Sequence, residues 1–296
     1  MNCCKRLLVL CAIVCSFAET GAFTSAQELE RLTRDGRRKF SPVLIDSGRT
    51  LLYCCVLEES RKVHVLKRDM ETGFTELLEP TNAAHLYDPV VSLQGRYFVC
   101  SVSSGNPQLF LRIIDQTANT RHEYRPPGSR STARHAIISL KHQRVFFTVN
   151  TEGGQQIGSV DLQGGDFRQL AKSPGVNAWP SLSPDEETIA FTSSRGGDLD
   201  IYTMDVRGEN VRRLTEEPLR DVRAAWSPDG ERIAFCSVRD GNHNIFVMDA
   251  DGTSVRRLTR DPGRDDFPTW HPDGKHLVIV AERAGQSDLY RLVVTK

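Results

Sequence analysis

Residues 227 to 259 read SPDGERIAFCSVRDGNHNIFVMDADGTSVRRLT. Nearly the same phrase stands one unit earlier, as SPDEETIAFTSSRGGDLDIYTMDVRGENVRRLT, and it begins again at HPDGKHLVIVAERAGQSDLYRL. Each copy has a turn, an alternating run, a polar loop, a second alternating run, an Asp-Gly-type turn and a third short run. Glu186, Gly230 and Gly274 fill one turn position, 44 residues apart each time. Upstream, Gly48, Gly95 and His142 take the same slot at spacings of 47, 47 and 44. Alternation of period two is what half-buried strands require. A repeat of 40 to 50 residues with about four strands per unit predicts a β-propeller. The chain is therefore expected to be all-β, a six-bladed propeller of four-stranded blades.

The last unit is short of its fourth strand. Leu170, Leu214 and Leu258 mark that strand in successive units, and the next position in the series lies past the final residue, Lys296. The phrase LERLTRD near the start supplies a match: Leu32 lies ten residues before Pro42, as Leu258 does before Pro268 and Leu214 before Ala224. The N-terminal strand is thus expected to complete the last blade and close the ring, leaving no open sheet edge.

The first 26 residues carry Lys5 and Arg6, then an apolar run from Leu7 to Ala18, then small residues up to Ala26. This is the pattern of an export signal, too short to span a bilayer comfortably. Residues 1–26 are read as a signal peptide and 27–296 as one propeller domain, exported or periplasmic. Four of the eight cysteines leave with the leader. Cys54, Cys100 and Cys236 fall in one column with Thr148, Thr192 and Ala281, so buried free thiols are expected rather than disulfides. The 38 basic and 38 acidic residues cancel, which removes the electrostatic reason to expect nucleic acid.

The phrases SPDGERIAF, NIFVMDADG and VRRLT resemble the PD40 repeat of TolB-like propellers. The resemblance is strong from Pro180 to Leu292 and weaker, but in register, from Glu28 to Gln169. It implies a stand-alone propeller without the additional domain of TolB, acting as a protein-binding platform in the cell envelope. It also extends to the propellers of prolyl-oligopeptidase-type proteases and of enzymes acting on oligogalacturonate, so it marks a fold before it marks a task.

In a propeller the loops entering the innermost strands share one face with the loops between the second and third strands. Ligands meet that face. Lys39, Asp88, His135, Asn177, Asp221, Arg223, Asp265 and Asp266 stand at those entries and differ from unit to unit, which makes them the candidate partner-binding rim. Their carboxylates and amide are also the hard ligands a calcium ion takes. Arg195, Arg239 and Arg283 recur at 44 residues and are expected to hold a neighbouring loop carbonyl. Trp179 breaks the register of Trp226 and Trp270 and is expected at an exposed edge. The eight histidines form no i, i+4 pair of the helical zinc type. There is no Gly-x-Ser-x-Gly elbow, P-loop or CxxC pair. The sequence thus points to a non-catalytic, monomeric interaction module with an envelope protein as partner and no membrane segment once the leader is removed. A polysaccharide lyase or hydrolase with its site at the channel mouth is the alternative.

Overall fold

The computed structural model describes residues 29–79, 84–105, 107–151, 154–239 and 241–295. Residues 1–26, read above as a signal peptide, lie outside them. The described chain is all-β apart from one 3-10 turn at Asp46–Gly48.

β1 (Leu29–Arg31) precedes the first full unit, which is β2 (Lys39–Ile45), β3 (Thr50–Leu57), β4 (Lys62–Asp69) and β5 (Thr75–Leu77). The second is β6 (His85–Val91), β7 (Tyr97–Ser103), β8 (Phe110–Asp115) and β9 (Thr120–Tyr124). The third is β10 (Ala133–Ser139), β11 (Arg144–Thr151), β12 (Gly154–Asp161) and β13 (Arg168–Gln169). β14 (Gly175–Leu182), β15 (Thr188–Ser193), β16 (Asp200–Asp205) and β17 (Arg212–Arg213) follow. Then come β18 (Asp221–Trp226), β19 (Arg232–Ser237), β20 (Asn244–Asp249) and β21 (Arg256–Arg257). The chain ends with β22 (Asp265–Trp270), β23 (His276–Arg283) and β24 (Gln286–Val293).

Hydrogen bonding does not divide these strands into six separate sheets, as the repeat alone suggests. Among the described residues there are four sheets of four strands and one of eight. The eight-stranded sheet arises because β12 and β14 join through a short parallel ladder, Gly154 with Gly175 and Gln155 with Val176. The same contact recurs elsewhere only as single bridges, Leu109 with Thr132 and Leu199 with Arg220. Glycine at 154 permits this approach: a Cβ there would sit 2.4 Å from the Gly175 carbonyl oxygen.

β1 is the outer strand of the sheet that holds β22, β23 and β24, with Leu29 opposite Leu292 and Arg31 opposite Tyr290. The Arg-Leu-Thr phrase makes the same bonds wherever it occurs. Leu32, Leu214 and Leu258 donate their amides to Leu289, Ile201 and Ile245 carbonyls at 2.8, 2.8 and 2.7 Å. Thr33, Thr215 and Thr259 hydroxyls accept from the amides of those same partners at 3.0 Å.

The cores lie between neighbouring sheets. Leu52, Cys54 and Val65 pack on Leu86, Phe98 and Cys100, for example. Leu51, Tyr53 and Leu66 of the first sheet pack on Val278, Val280 and Leu289 of the last. Cys54, Cys55, Cys100 and Cys236 are free and buried, but they do not all share a column. Cys54, Thr148, Thr192 and Cys236 stand opposite the residue before a bulge, whereas Ser101 and Val280 hold that position where Cys100 and Ala281 were expected. No helix of the described residues is long and apolar enough to cross a membrane.

Candidate functional site

Each innermost strand is interrupted by a β-bulge at the same point. The pairing register slips between Phe40 and Val43, Tyr87 and Val90, Arg134 and Ile137, Ala178 and Ser181, Val222 and Ala225, and Asp266 and Thr269. One residue in each slip has a left-handed backbone: Ser41 (φ 49°), Asp88 (50°), His135 (54°), Trp179 (53°), Arg223 (57°) and Phe267 (54°). None of the six is glycine, although glycine would relieve about 1 kcal/mol or more of strain at each. Pro42, Pro89, Pro180 and Pro268 follow four of them. Proline has no amide hydrogen to contribute to a ladder, and a bulge is one of the few strand positions that tolerates it.

Successive bulge residues touch around the channel. The Ser41 hydroxyl donates to Asp88 Oδ1 at 2.8 Å, and the His135 amide donates to Asp88 Oδ2 at 3.3 Å. The His135 ring lies 5.8 Å from that of Trp179. The Arg223 guanidinium lies between two aromatic faces, 4.9 Å from the Trp179 ring centroid and 4.2 Å from that of Phe267, an arrangement favourable to a cation. Phe267 is in turn 6.4 Å from Phe40, beside Ser41.

This ring is the waist of a channel. Above it opens a cavity of about 890 Å³ and below it one of about 310 Å³, and His135, Trp179, Arg223 and Phe267 line both. The larger cavity is lined by Arg38, Lys39, Arg134, Arg223 and Arg264 against only Asp266 and Glu282 as acids. Phe40, Tyr87, Trp179 and Phe267 give it flat apolar faces. Within the lining, Arg134 grips Asp88 through Nε (2.8 Å) and Nη2 (3.1 Å), and Asp266 accepts from Arg223 and Arg264 at 2.9 and 2.6 Å. Arg38 makes no ion pair among the described residues and is the cation open to a visitor.

His135 is ringed by protein while 22% of its side chain faces the channel. Burial pushes its pKa down to about 4, with Arg134 and Arg223 adding to the effect and Asp88 opposing it, so the imidazole is neutral at pH 7. Burial pushes the Asp88 carboxyl up, but His135, Arg134 and the Ser41 hydrogen bond outweigh it and hold Asp88 below the ordinary carboxylate range. His135 Nδ1, Trp179 Nε1 and Arg223 Nε, on three consecutive ring positions, are buried without a hydrogen-bond partner among the described residues. Unmet buried polar atoms are uncommon in a settled core. Ser41, Asp88 and His135 include the residue types of a nucleophilic triad, but the serine hydroxyl donates to the carboxylate instead of the imidazole. That wiring leaves the serine unactivated.

The residues expected from sequence separate into two groups. Asp88, His135 and Arg223 are in the waist, and Asp266 braces it. Lys39, Asn177, Asp221 and Asp265 are two residues earlier in their strands and are at most 2% exposed. Each of these four is a structural anchor. Asn177 accepts from Arg195 (3.1 Å), Asp221 from Arg239 (2.8 Å) and Asp265 from Arg283 (2.6 Å), while Lys39 donates to Asp288 (3.0 Å). The recurring arginines thus hold side chains at the strand entries, not the loop carbonyls expected of them. The carboxylates do not converge on a calcium-type cage, because each is already committed to a guanidinium or, for Asp288, also to Lys39. Trp179 is in the channel rather than at an exposed edge. The X-Pro pairs were the signal in the sequence that marks Ser41, Asp88, Trp179 and Phe267.

The chain's fold has counterparts among solved structures. TolB from Acinetobacter baumannii superposes with a TM-score of 0.66 at 18% identity, over 85% of this chain and 65% of that one. A gluconolactonase from Xanthomonas campestris gives 0.67 at 18% identity over 91% and 90%. An oligogalacturonate lyase from Vibrio parahaemolyticus gives 0.60 at 13% identity over 93% and 95%. At these identities the likeness establishes the fold alone. A search of curated protein sequences found no match. The family model described as the TolB beta propeller domain matches residues 104–224 and 218–296. With more than half of its length so matched, and with the repeat and channel described above, the chain belongs to the TolB β-propeller domain family.

Proposed function

We propose that this protein is an exported, non-catalytic binding module of the cell envelope, a single domain over residues 27–296. Its channel mouth takes an acidic segment of a protein partner. The observation that carries this is the mouth itself, where exposed Arg38 stands with Arg134, Arg223 and Arg264 against two acidic side chains, above a ring of aromatic and polar residues that changes at every position. A cavity of about 890 Å³ admits a chain segment but not a folded domain. We count six blades, taking the eight-stranded sheet as two joined at Gly154 and Gly175, with β1 closing the ring. The ladder's brevity and the packing of first sheet on last support that count.

Cross-linking of the mature chain in envelope extract, beside an Arg38→Glu, Trp179→Ala variant, tests the binding role. The expected result is one captured acidic partner, lost in the folded variant and weakened by salt. Capture undiminished by the variant would overturn the assignment of the face. A second reading rests on the neutral His135 held near Asp88: an imidazole in that state can accept a proton, and two structural counterparts bear the names of carbohydrate-acting enzymes. Turnover of an acidic oligosaccharide by the native chain, abolished by His135→Asn, would favour it.

A further inference from the structure

We propose that His271, Asp273 and His276 form a binding site for a divalent transition metal on the turn between β22 and β23. This turn lies outside the channel cavities and owes nothing to the function proposed above.

The turn is a repeated object, so what the last copy adds can be isolated. In the two preceding units it reads Ser183-Pro-Asp185 to Thr188 and Ser227-Pro-Asp229 to Arg232. There the opening serine donates to the aspartate and accepts the amide of the residue five positions on, at 2.9 Å in both. The last copy keeps the backbone bonds: His271 N to His276 O at 2.9 Å and Gly274 N to His271 O at 3.0 Å, against 2.8 and 3.0 Å for Ser227 and Gly230. The side chains at both ends have become imidazoles, and Lys275 replaces the glutamate of the two earlier copies. Within the turn His271 Nδ1 also accepts the Asp273 amide at 3.2 Å, a bond the metal would displace.

Both imidazoles meet the same carboxylate oxygen. His271 Nδ1 is 3.0 Å and His276 Nδ1 2.7 Å from Asp273 Oδ2. The three ligand atoms lie within 4.8 Å of one another, and the two rings stand edge to face, 82° apart. Ligands bound to zinc at about 2.0–2.2 Å in a tetrahedron are about 3.3 Å apart, so each imidazole–carboxylate separation would open by a few tenths of an ångström on binding. The carboxylate is already oriented, because its other oxygen, Oδ1, accepts the Lys275 and His276 amides at 2.8 and 3.1 Å. The His271 ring is fixed from behind: it lies against Gly48, where a Cβ would come within 2.2 Å of Nε2. That contact points Nδ1 at the aspartate. Such outer contacts are what tune a metal ligand's position.

Side-chain exposures of 21, 34 and 30% leave the cluster open to ions and to water in a fourth position. Two imidazoles and one carboxylate suit zinc, copper or nickel over magnesium or calcium, which prefer all-oxygen sites. Among the described residues the other grouping of metal-ligating side chains, Cys236 with His243 and Asp266, is less suited because Asp266 is held by two arginines.

The test uses the repeat as its own control. His271→Ser with His276→Arg restores the pair found at Ser227 and Arg232, so the variant turn is one this fold already makes. EDTA-treated native protein titrated with cobalt(II) is expected to take up one equivalent with a visible ligand-field band, displaced by zinc. Zinc alone is expected to raise its melting temperature. The double variant should melt like the metal-free native protein and bind at least about 100-fold more weakly. No uptake by the native protein at millimolar cobalt or zinc would overturn the site, and so would equal uptake by native and variant.

Discussion

Arg31 and Asp288, 257 residues apart in the sequence, share a charge-assisted hydrogen bond of 2.5 Å at the outer edge of one sheet. Asp288 is 1% exposed and also accepts from Thr33 Oγ1 at 2.7 Å and from the fully buried Lys39 at 3.0 Å. One carboxylate therefore ties β1, the start of β2 and the last strand together. Asp288→Ala would leave Lys39 with the exposed Asp35 as its one ion-pair partner, beside the Arg37 and Ser287 carbonyls, and removing one member of such a buried pair typically costs about 3–5 kcal/mol. Arg31→Ala leaves Lys39 in place and should destabilise less. Denaturant unfolding of the two variants checks the order. Equal losses would mean that Lys39 has no part in holding the carboxylate.

Stability should fall as pH drops from 6.5 toward 4. His135 is an ordinary histidine near 6.5 when unfolded and titrates at about 4 in the fold. Between those values the unfolded chain binds the proton and the folded chain does not, so acid favours unfolding, and stability rises with pH through the window. The shift corresponds to at most about 3 kcal/mol. His135→Gln should flatten the stability profile in that interval. An unchanged slope would show that other groups set it.

Replacing Ser41 separates backbone strain from hydrogen bonding. Ser41→Ala loses the bond to Asp88 but keeps φ near 49°. Ser41→Gly loses the same bond and is free to adopt that φ. The glycine variant should be the more stable by about 1 kcal/mol. Equal stabilities by chemical denaturation would mean that the bulge relaxes and stores no strain.

The four thiols of the described chain should resist alkylation until it unfolds. Burial pushes Cys54 and Cys236 well above their usual range and Cys55 up to about 11. The thiolate is the reactive form. Iodoacetamide at pH 8 should label none of them natively and all of them in guanidinium. Native labelling of one would mark a local opening at its strand.

Much of the fold was legible because the repeat is backbone chemistry. Leu32 could be aligned with Leu214 and Leu258 by counting, and the structure gives all three the same donor bond. The number of separate sheets was not legible, since it turned on Gly154 meeting the backbone of Gly175, 21 residues on. The histidine pair on the β22–β23 turn was missed for a similar reason. Spacing rules search for i, i+4 on a helix, whereas a tight turn brings residues five apart onto one carboxylate.

The candidate rim shows where pattern and packing part. The sequence by itself determined the period, the strands, the turn residues and the recurring Arg-Leu-Thr strand, because each rests on local hydrogen bonding that any copy of the phrase will make. Only the tertiary structure decided that Trp179 faces the channel while Asn177, two residues earlier, is sealed against Arg195. Strict alternation would put those two on the same face. The bulge inserts one left-handed residue, reverses the alternation within each innermost strand and turns Ser41, Asp88, His135, Trp179, Arg223 and Phe267 together toward the axis.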